Sequence, residues 1–241
     1  MPESVVLLHG FSGTRSAWDG VEALLERERY SPIAVDLPGH GRSSAVKGPI
    51  TFERCVRHVL RAAPGSFALC GYSMGGRIAL HVALAAPERV RRLILVSSTA
   101  GIEGERERAA RRASDRRLAE RLEEHPLEDF IVRWRSQPLF AGEPSEVARL
   151  AAADQRRNTG GPLAAALRGL GTGEMAPLWG RLAELEIPVT VLAGERDEKF
   201  QRLGRRMAEL ARNGRMLVAR GGHNLPLENP AAVAAAIAAG D

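Results

Sequence analysis

Cysteine is almost absent: Cys55 and Cys70 are the only two in 241 residues. One ends an apolar run and the other sits in a helix-like stretch, which excludes a disulfide framework and a thiolate metal centre. Lysine is equally scarce. Of 34 basic residues only Lys47 and Lys199 are lysines, so the cationic complement is arginine, as genome composition or a hot habitat would produce. Aromatic residues make up only 5% and form no platform with basic ones, while acidic residues are interspersed among the arginines. A nucleic-acid partner is therefore excluded in spite of the net charge of +5. No apolar run reaches membrane-spanning length. Met1-Pro2-Glu3-Ser4 leads directly into a strand-like run, without the basic and apolar regions of a secretory signal, so a cytoplasmic protein is expected.

What is present is a set of short apolar runs: Val5–Leu8, Ile33–Val35, Phe67–Cys70, Leu93–Val96, Val189–Leu192 and Met216–Val218. Such runs suit strands covered on both faces. Helix-like segments separate most of them, which predicts an α/β protein with a doubly wound, mainly parallel sheet. The alternation stops over residues 100–180. There four charged helical stretches follow one another: Glu105 to Glu124, Pro126 to Arg135, Pro144 to Arg157 and Pro162 to Leu170. The expected organisation is a core of residues 1–99 and 181–241 with a helical cap, 100–180, inserted between the fourth and fifth strands. A long connection with its own helices points to a functional role.

The sharpest local signal is Gly71-Tyr72-Ser73-Met74-Gly75, a G-x-S-x-G turn placed between a strand pattern and a helix pattern. A serine hydroxyl needs a histidine to take its proton and a carboxylate to orient that histidine. His223 follows the sixth run and Asp197 the fifth, in the chain order serine, acid, histidine. Glu195 is the rival acid, but Asp197 has the better loop position. Of the other histidines, His58, His81 and His125 fall in helix-like stretches as surface or packing residues. His40 braces the Pro38–Gly41 turn, and His9 shapes the loop after the first strand. The backbone N–H groups of Phe11 and Met74 are the natural pair of oxyanion donors.

These residues resemble the α/β-hydrolase superfamily: HGF at His9, DLPGHGRS at Asp36, GYSMGG at Gly71, GERD at Gly194 and GGHN at Gly221. The resemblance spans nearly the whole chain and implies the α/β-hydrolase fold. Only four residues precede Val5, so the usual leading antiparallel hairpin is expected to be missing and the sheet to have six strands. The cap carries a narrower likeness. AARRASD at Ala109, RWRSQPLF at Arg133, QRRNTGG at Gln155 and GERDEKF at Gly194 look like the 2-succinyl-6-hydroxy-2,4-cyclohexadiene-1-carboxylate synthases of menaquinone biosynthesis.

That likeness implies a lyase with no metal or organic cofactor. It would convert 2-succinyl-5-enolpyruvyl-6-hydroxy-3-cyclohexene-1-carboxylate to the cyclohexadiene and release pyruvate, with Ser73 as a triad-activated base. Substrate-binding arginines fall on Arg77, Arg111 and Arg156, with Arg112 and Arg157 open as one-residue alternatives. Trp134, Tyr72 and Phe140 would line the pocket. The implied partner is a small carboxylate-rich molecule, and the protein a monomer or small homo-oligomer. The alternative is a carboxylesterase or carbon–carbon bond hydrolase with Ser73 as nucleophile. Convergent arginines discriminate the two, because a general esterase requires a largely apolar acyl pocket. The intact Ser–His–Asp set argues against a catalytically silent use of the fold.

Overall fold

The computed structural model describes residues 1–45 and 47–239, so position 46 and the last two residues of the expected core lie outside the described chain. Six short strands form one sheet: β1 (Glu3–Leu8), β2 (Tyr30–Val35), β3 (Phe67–Tyr72), β4 (Val90–Val96), β5 (Val189–Gly194) and β6 (Gly214–Ala219). Their order is β2-β1-β3-β4-β5-β6, and every pairing is parallel. No antiparallel strand occurs among the described residues. Parallel strands need crossover connections, and helices supply them. Among these are α1 (Asp19–Leu24), α2 (Phe52–Ala62), α3 (Met74–Ala85) and α8 (Glu198–Leu210), while α9 (Leu225–Glu228) and α10 (Pro230–Ala238) follow the last strand.

Strand residues alternate between two buried layers. Val6, Leu8, Leu69, Leu93, Leu95 and Val191 join one apolar cluster, while Val5, Leu7, Ala68, Cys70, Ile94 and Val96 join the other. Both sheet faces are thus covered, which is why the runs read as continuous rather than alternating hydrophobicity. Both cysteines are free and buried. No described helix is long and apolar enough to cross a membrane.

Between β4 and β5 lie α4 (Glu105–Glu124), α5 (Leu127–Arg135), α6 (Ser145–Gln155) and α7 (Gly160–Leu170). Helix α4 packs along α7. These helices bury a cluster of their own, built from Ala119, Leu122, Phe130, Ile131, Leu163, Ala164 and Leu167. Further on, Met175, Leu178 and Trp179 pack into the sheet-side cluster instead.

The strand order reverses between β1 and β3, and a crevice opens at the carboxyl ends of strands at such a point. The register places Leu8 beside Gly71, and Tyr72 beside Val96. The start of α3 presses so closely on β1 that a Cβ at Gly75 would strike the carbonyl oxygen of Leu8. Gly75→Ala is therefore expected to cost about 2–3 kcal/mol through overpacking. The fall in thermal midpoint would be about 4–12 °C for a chain of this length, measured by calorimetry. An unchanged midpoint would show that α3 and β1 have room to part.

Candidate active site

Ser73 sits at the apex of the turn between β3 and α3 with φ 51° and ψ −108°, a conformation that side chains disfavour. Its backbone is held on both sides. The N–H donates to Val96 O at 2.9 Å. The carbonyl accepts from Ser98 Oγ at 2.9 Å and from Arg77 N–H at 3.2 Å. At Gly71 a Cβ would collide with the Gly75 carbonyl, so the chain can double back only over glycine.

His223 Nε2 lies 3.2 Å from Ser73 Oγ, and its Nδ1 lies 2.7 Å from Asp197 Oδ2. His223 is 2% exposed and Asp197 is also buried, so the bond between them is shielded from water, while Ser73 Oγ faces the cavity. Asp197 follows β5 and is the acid that meets His223. Glu195 has its backbone tied to Ala219 O, and its side chain is exposed. The rings of Phe200 and Tyr72 flank the imidazole at 4.6 and 5.4 Å between centroids.

Met74 is the first residue of α3, where backbone N–H groups have no helical acceptor. Across the turn runs the loop after β1. Its Ser12, Gly13 and Thr14 N–H groups are engaged with His40 Nε2, Gly10 O and Asp154 Oδ2. Phe11 N–H has no recorded acceptor among the described residues. His9 and His40 are both fully buried, and burial lowers their pKa values, His40 well below the ordinary range. Neutral rings let each Nε2 accept a backbone N–H, from Leu37 for His9 and from Ser12 for His40.

A cavity of about 250 Å³ opens over Ser73, with Phe11, Tyr72, Arg77, Arg111, Trp134 and Phe140 in its wall. Arg77 stands one helical turn past Ser73 and is only 7% exposed. Its Nη1 donates to Leu170 O at 2.5 Å. Burial and then the like charge of Arg111 press its pKa down, and Asp115 opposes them. Arg111 Nε lies 2.9 Å from both carboxylate oxygens of Asp115, which is itself buried. Burial raises the pKa of Asp115, and Arg111 then lowers it. Two guanidinium groups therefore line the cavity, with the Asp115 carboxylate paired to Arg111 behind its wall, leaving an excess of positive charge. Burial also raises the pKa of the Tyr72 phenol, which stays protonated.

Two of the sequence alternatives are resolved by helix faces. Arg112 turns away from the cavity to Gly173 O and Glu105, so Arg111 is the one that lines it. Arg156 does not reach the cavity. It is the C-cap of α6, and the buried side of that turn carries Asp154, Gln155 and Asn158. Arg156 instead pairs with Glu128 of α5 in solvent, at 2.6 Å. Arg157 also faces out, 3.7 Å from Asp154.

Sequence reasoning passed over Lys199, Phe200 and Gln137, which line the same cavity. Lys199 had a usable signal, as one of only two lysines and within the GERDEKF run. Among the described residues no group of three or more His, Cys, Asp or Glu side chains is placed to hold a metal ion.

The model of the alpha/beta hydrolase family matches residues 5–236. Two relatives are named 2-succinyl-6-hydroxy-2,4-cyclohexadiene-1-carboxylate synthase. One is from Salmonella paratyphi A (strain ATCC 9150 / SARB42) and one from Salmonella agona (strain SL483). Each is 35% identical over 98% of this chain and 92% of its own. Among solved structures, MenH from S. aureus superposes with a TM-score of 0.91 at 32% identity, covering 98% of this chain and 92% of that one.

Proposed function

The chain belongs to the alpha/beta hydrolase family, and on that footing we propose that it catalyses the reaction of its synthase relatives. It is a lyase that forms 2-succinyl-6-hydroxy-2,4-cyclohexadiene-1-carboxylate and releases pyruvate. The observation that carries this reading is the pair Arg77 and Arg111 in the same cavity wall as Ser73. The buried Arg77 guanidinium, with the half-buried Arg111 beside it, opposes an apolar acyl chain and favours a substrate rich in carboxylates.

The substrate, 2-succinyl-5-enolpyruvyl-6-hydroxy-3-cyclohexene-1-carboxylate, carries an acidic hydrogen on ring C2, beside the succinyl ketone. His223, oriented by Asp197, draws the proton from Ser73 Oγ, and the oxygen removes the C2 hydrogen. The freed electron pair forms the C2–C3 double bond and the C3–C4 double bond moves to C4–C5. The bond from C5 to the enolpyruvyl oxygen breaks, and the departing enolate takes the proton held by His223 and becomes pyruvate, which leaves the triad as it began. Charge accumulates transiently on the ketone oxygen, where Phe11 and Met74 N–H groups stabilise it. Arg77 and Arg111 grip carboxylates and hold C2 over Ser73, a contribution of positioning. Trp134, Tyr72 and Phe140 pack against the ring. Residues 100–180 act as the cap that covers the substrate on the core formed by 1–99 and 181–241. The reading is of a cytoplasmic enzyme acting on a small molecule, as a monomer or small homo-oligomer.

The test is to supply the enolpyruvyl substrate and, separately, short activated esters. Pyruvate is followed with lactate dehydrogenase and NADH. Pyruvate release several orders of magnitude more efficient than ester cleavage is expected. Fast ester turnover without pyruvate would replace the lyase with a serine hydrolase.

A further inference from the structure

The loop that carries Phe11 is held in shape by residues far from it in the chain as well as by its own turn. Ser12 has φ 63°, in the left-handed region that favours glycine. It is completely buried, and all three of its polar groups are engaged. Its N–H donates to His40 Nε2 at 3.2 Å, its carbonyl accepts from Asn158 Nδ2 at 2.8 Å, and its Oγ accepts from Gln155 Nε2 at 2.7 Å. Two residues on, Thr14 donates its N–H to Asp154 Oδ2 at 2.8 Å and its hydroxyl to Asp154 Oδ1 at 2.5 Å. Asn158 Oδ1 also receives Gly41 N–H at 2.9 Å, joining the turn that carries His40. Asp154, Gln155 and Asn158 are all buried; the first two close α6 and Asn158 lies in the turn just past its C-cap, Arg156.

These bonds bear on the oxyanion donor through the geometry of one peptide. Gly10 C=O and Phe11 N–H belong to the same planar trans unit and point in opposite directions. Gly10 O is fixed by Gly13 N–H at 3.1 Å and by His9 Nδ1 at 2.8 Å. Gly13 lies between Ser12 and Thr14, the two residues that the cap grips. Releasing that grip loosens Gly13 and leaves Gly10 O held by His9 Nδ1 alone, so that the direction of Phe11 N–H is less firmly set.

We propose that Asp154, Gln155 and Asn158 are positioning residues through which the cap forms one half of the oxyanion hole, so that catalysis requires this end of α6 to be seated on the loop. The inference rests on Phe11 N–H serving as an oxyanion donor, as in the function proposed above.

Gln155→Leu, Asp154→Ala and Asp154→Asn are compared with wild type for kcat and KM, alongside the thermal midpoint and a Ser12→Ala/Gln155→Leu double-mutant cycle. The reaction used is whichever of pyruvate release or ester cleavage the wild-type protein performs, since both develop an oxyanion. Absence of pyruvate release thus counts against the lyase alone. The expected result is a fall in kcat of about 10- to 100-fold for Gln155→Leu and Asp154→Ala, below the loss for deleting a donor outright. KM should stay within about threefold, because the cavity wall is untouched. Asp154→Asn should recover part of the loss, since it still accepts from Thr14 N–H, and the Ser12 and Gln155 effects should be non-additive. Unchanged kcat, a change confined to KM, or a loss matched by partial unfolding at the assay temperature would overturn the proposal.

Discussion

Ser73→Ala is expected to lower kcat for pyruvate release by about 10³-fold or more, with KM changed little. Among the described residues the hydroxyl bonds to His223 Nε2 alone, and its removal leaves the buried His223–Asp197 pair in place. A base that acts only as the C–H bond breaks contributes to the transition state and not to substrate binding. His223→Ala should lose a similar factor. The double variant should fall no further than either single one, because the two groups act as one unit. Steady-state kinetics with coupled pyruvate detection reads all three. A Ser73→Ala enzyme within tenfold of wild type would move the base to His223 itself.

Arg77→Met should lower kcat/KM for the same reaction by about 10²-fold, the value of a charge-assisted hydrogen bond of about 1.5–3 kcal/mol. Arg77 is buried, and Arg111 and desolvation both work against its charge. A substrate carboxylate supplies the missing counter-charge where solvent does not screen it, so the contact is stronger than one on the surface. Arg77→Lys should recover little, because an ammonium does not present a planar two-point fork. Arg156→Ala is the control. Its guanidinium pairs with Glu128 in solvent, and kinetics within about twofold of wild type are expected. An equal loss at Arg77 and Arg156 would show that net charge, not the cavity wall, is what the substrate senses.

The fold was legible because its signals are local. Each buried strand is a short apolar run, and the charged stretch from Glu105 to Glu124 is bounded as the sequence suggested. Ser73, Asp197 and His223 were legible for a related reason. Each lies just past a strand, and parallel strands bring their carboxyl ends to one edge. The cap was less legible. Adjacent residues on a helix point about 100° apart, so sequence left Arg111 and Arg112 open. At the end of α6 both nominated arginines face solvent, and the buried positions carry Asp154, Gln155 and Asn158 instead. On α8, Lys199 stands out as one of two lysines and within the GERDEKF run, but nothing local sets Phe200 apart from residues on the other faces of the helix.

By itself, then, the sequence determined the sheet, the run of helices inserted after β4 and the strand ends that carry Ser73, Asp197 and His223, because periodicity and turn chemistry act over a few residues. Only the tertiary structure decided which arginines enter the cavity and what holds the loop that carries Phe11. Those outcomes depend on contacts such as Thr14 with Asp154 and Ser12 with Asn158. Partners so far apart in the chain meet only when the cap packs on the core, and burial then gives their hydrogen bonds and charges a strength that the bare sequence does not encode.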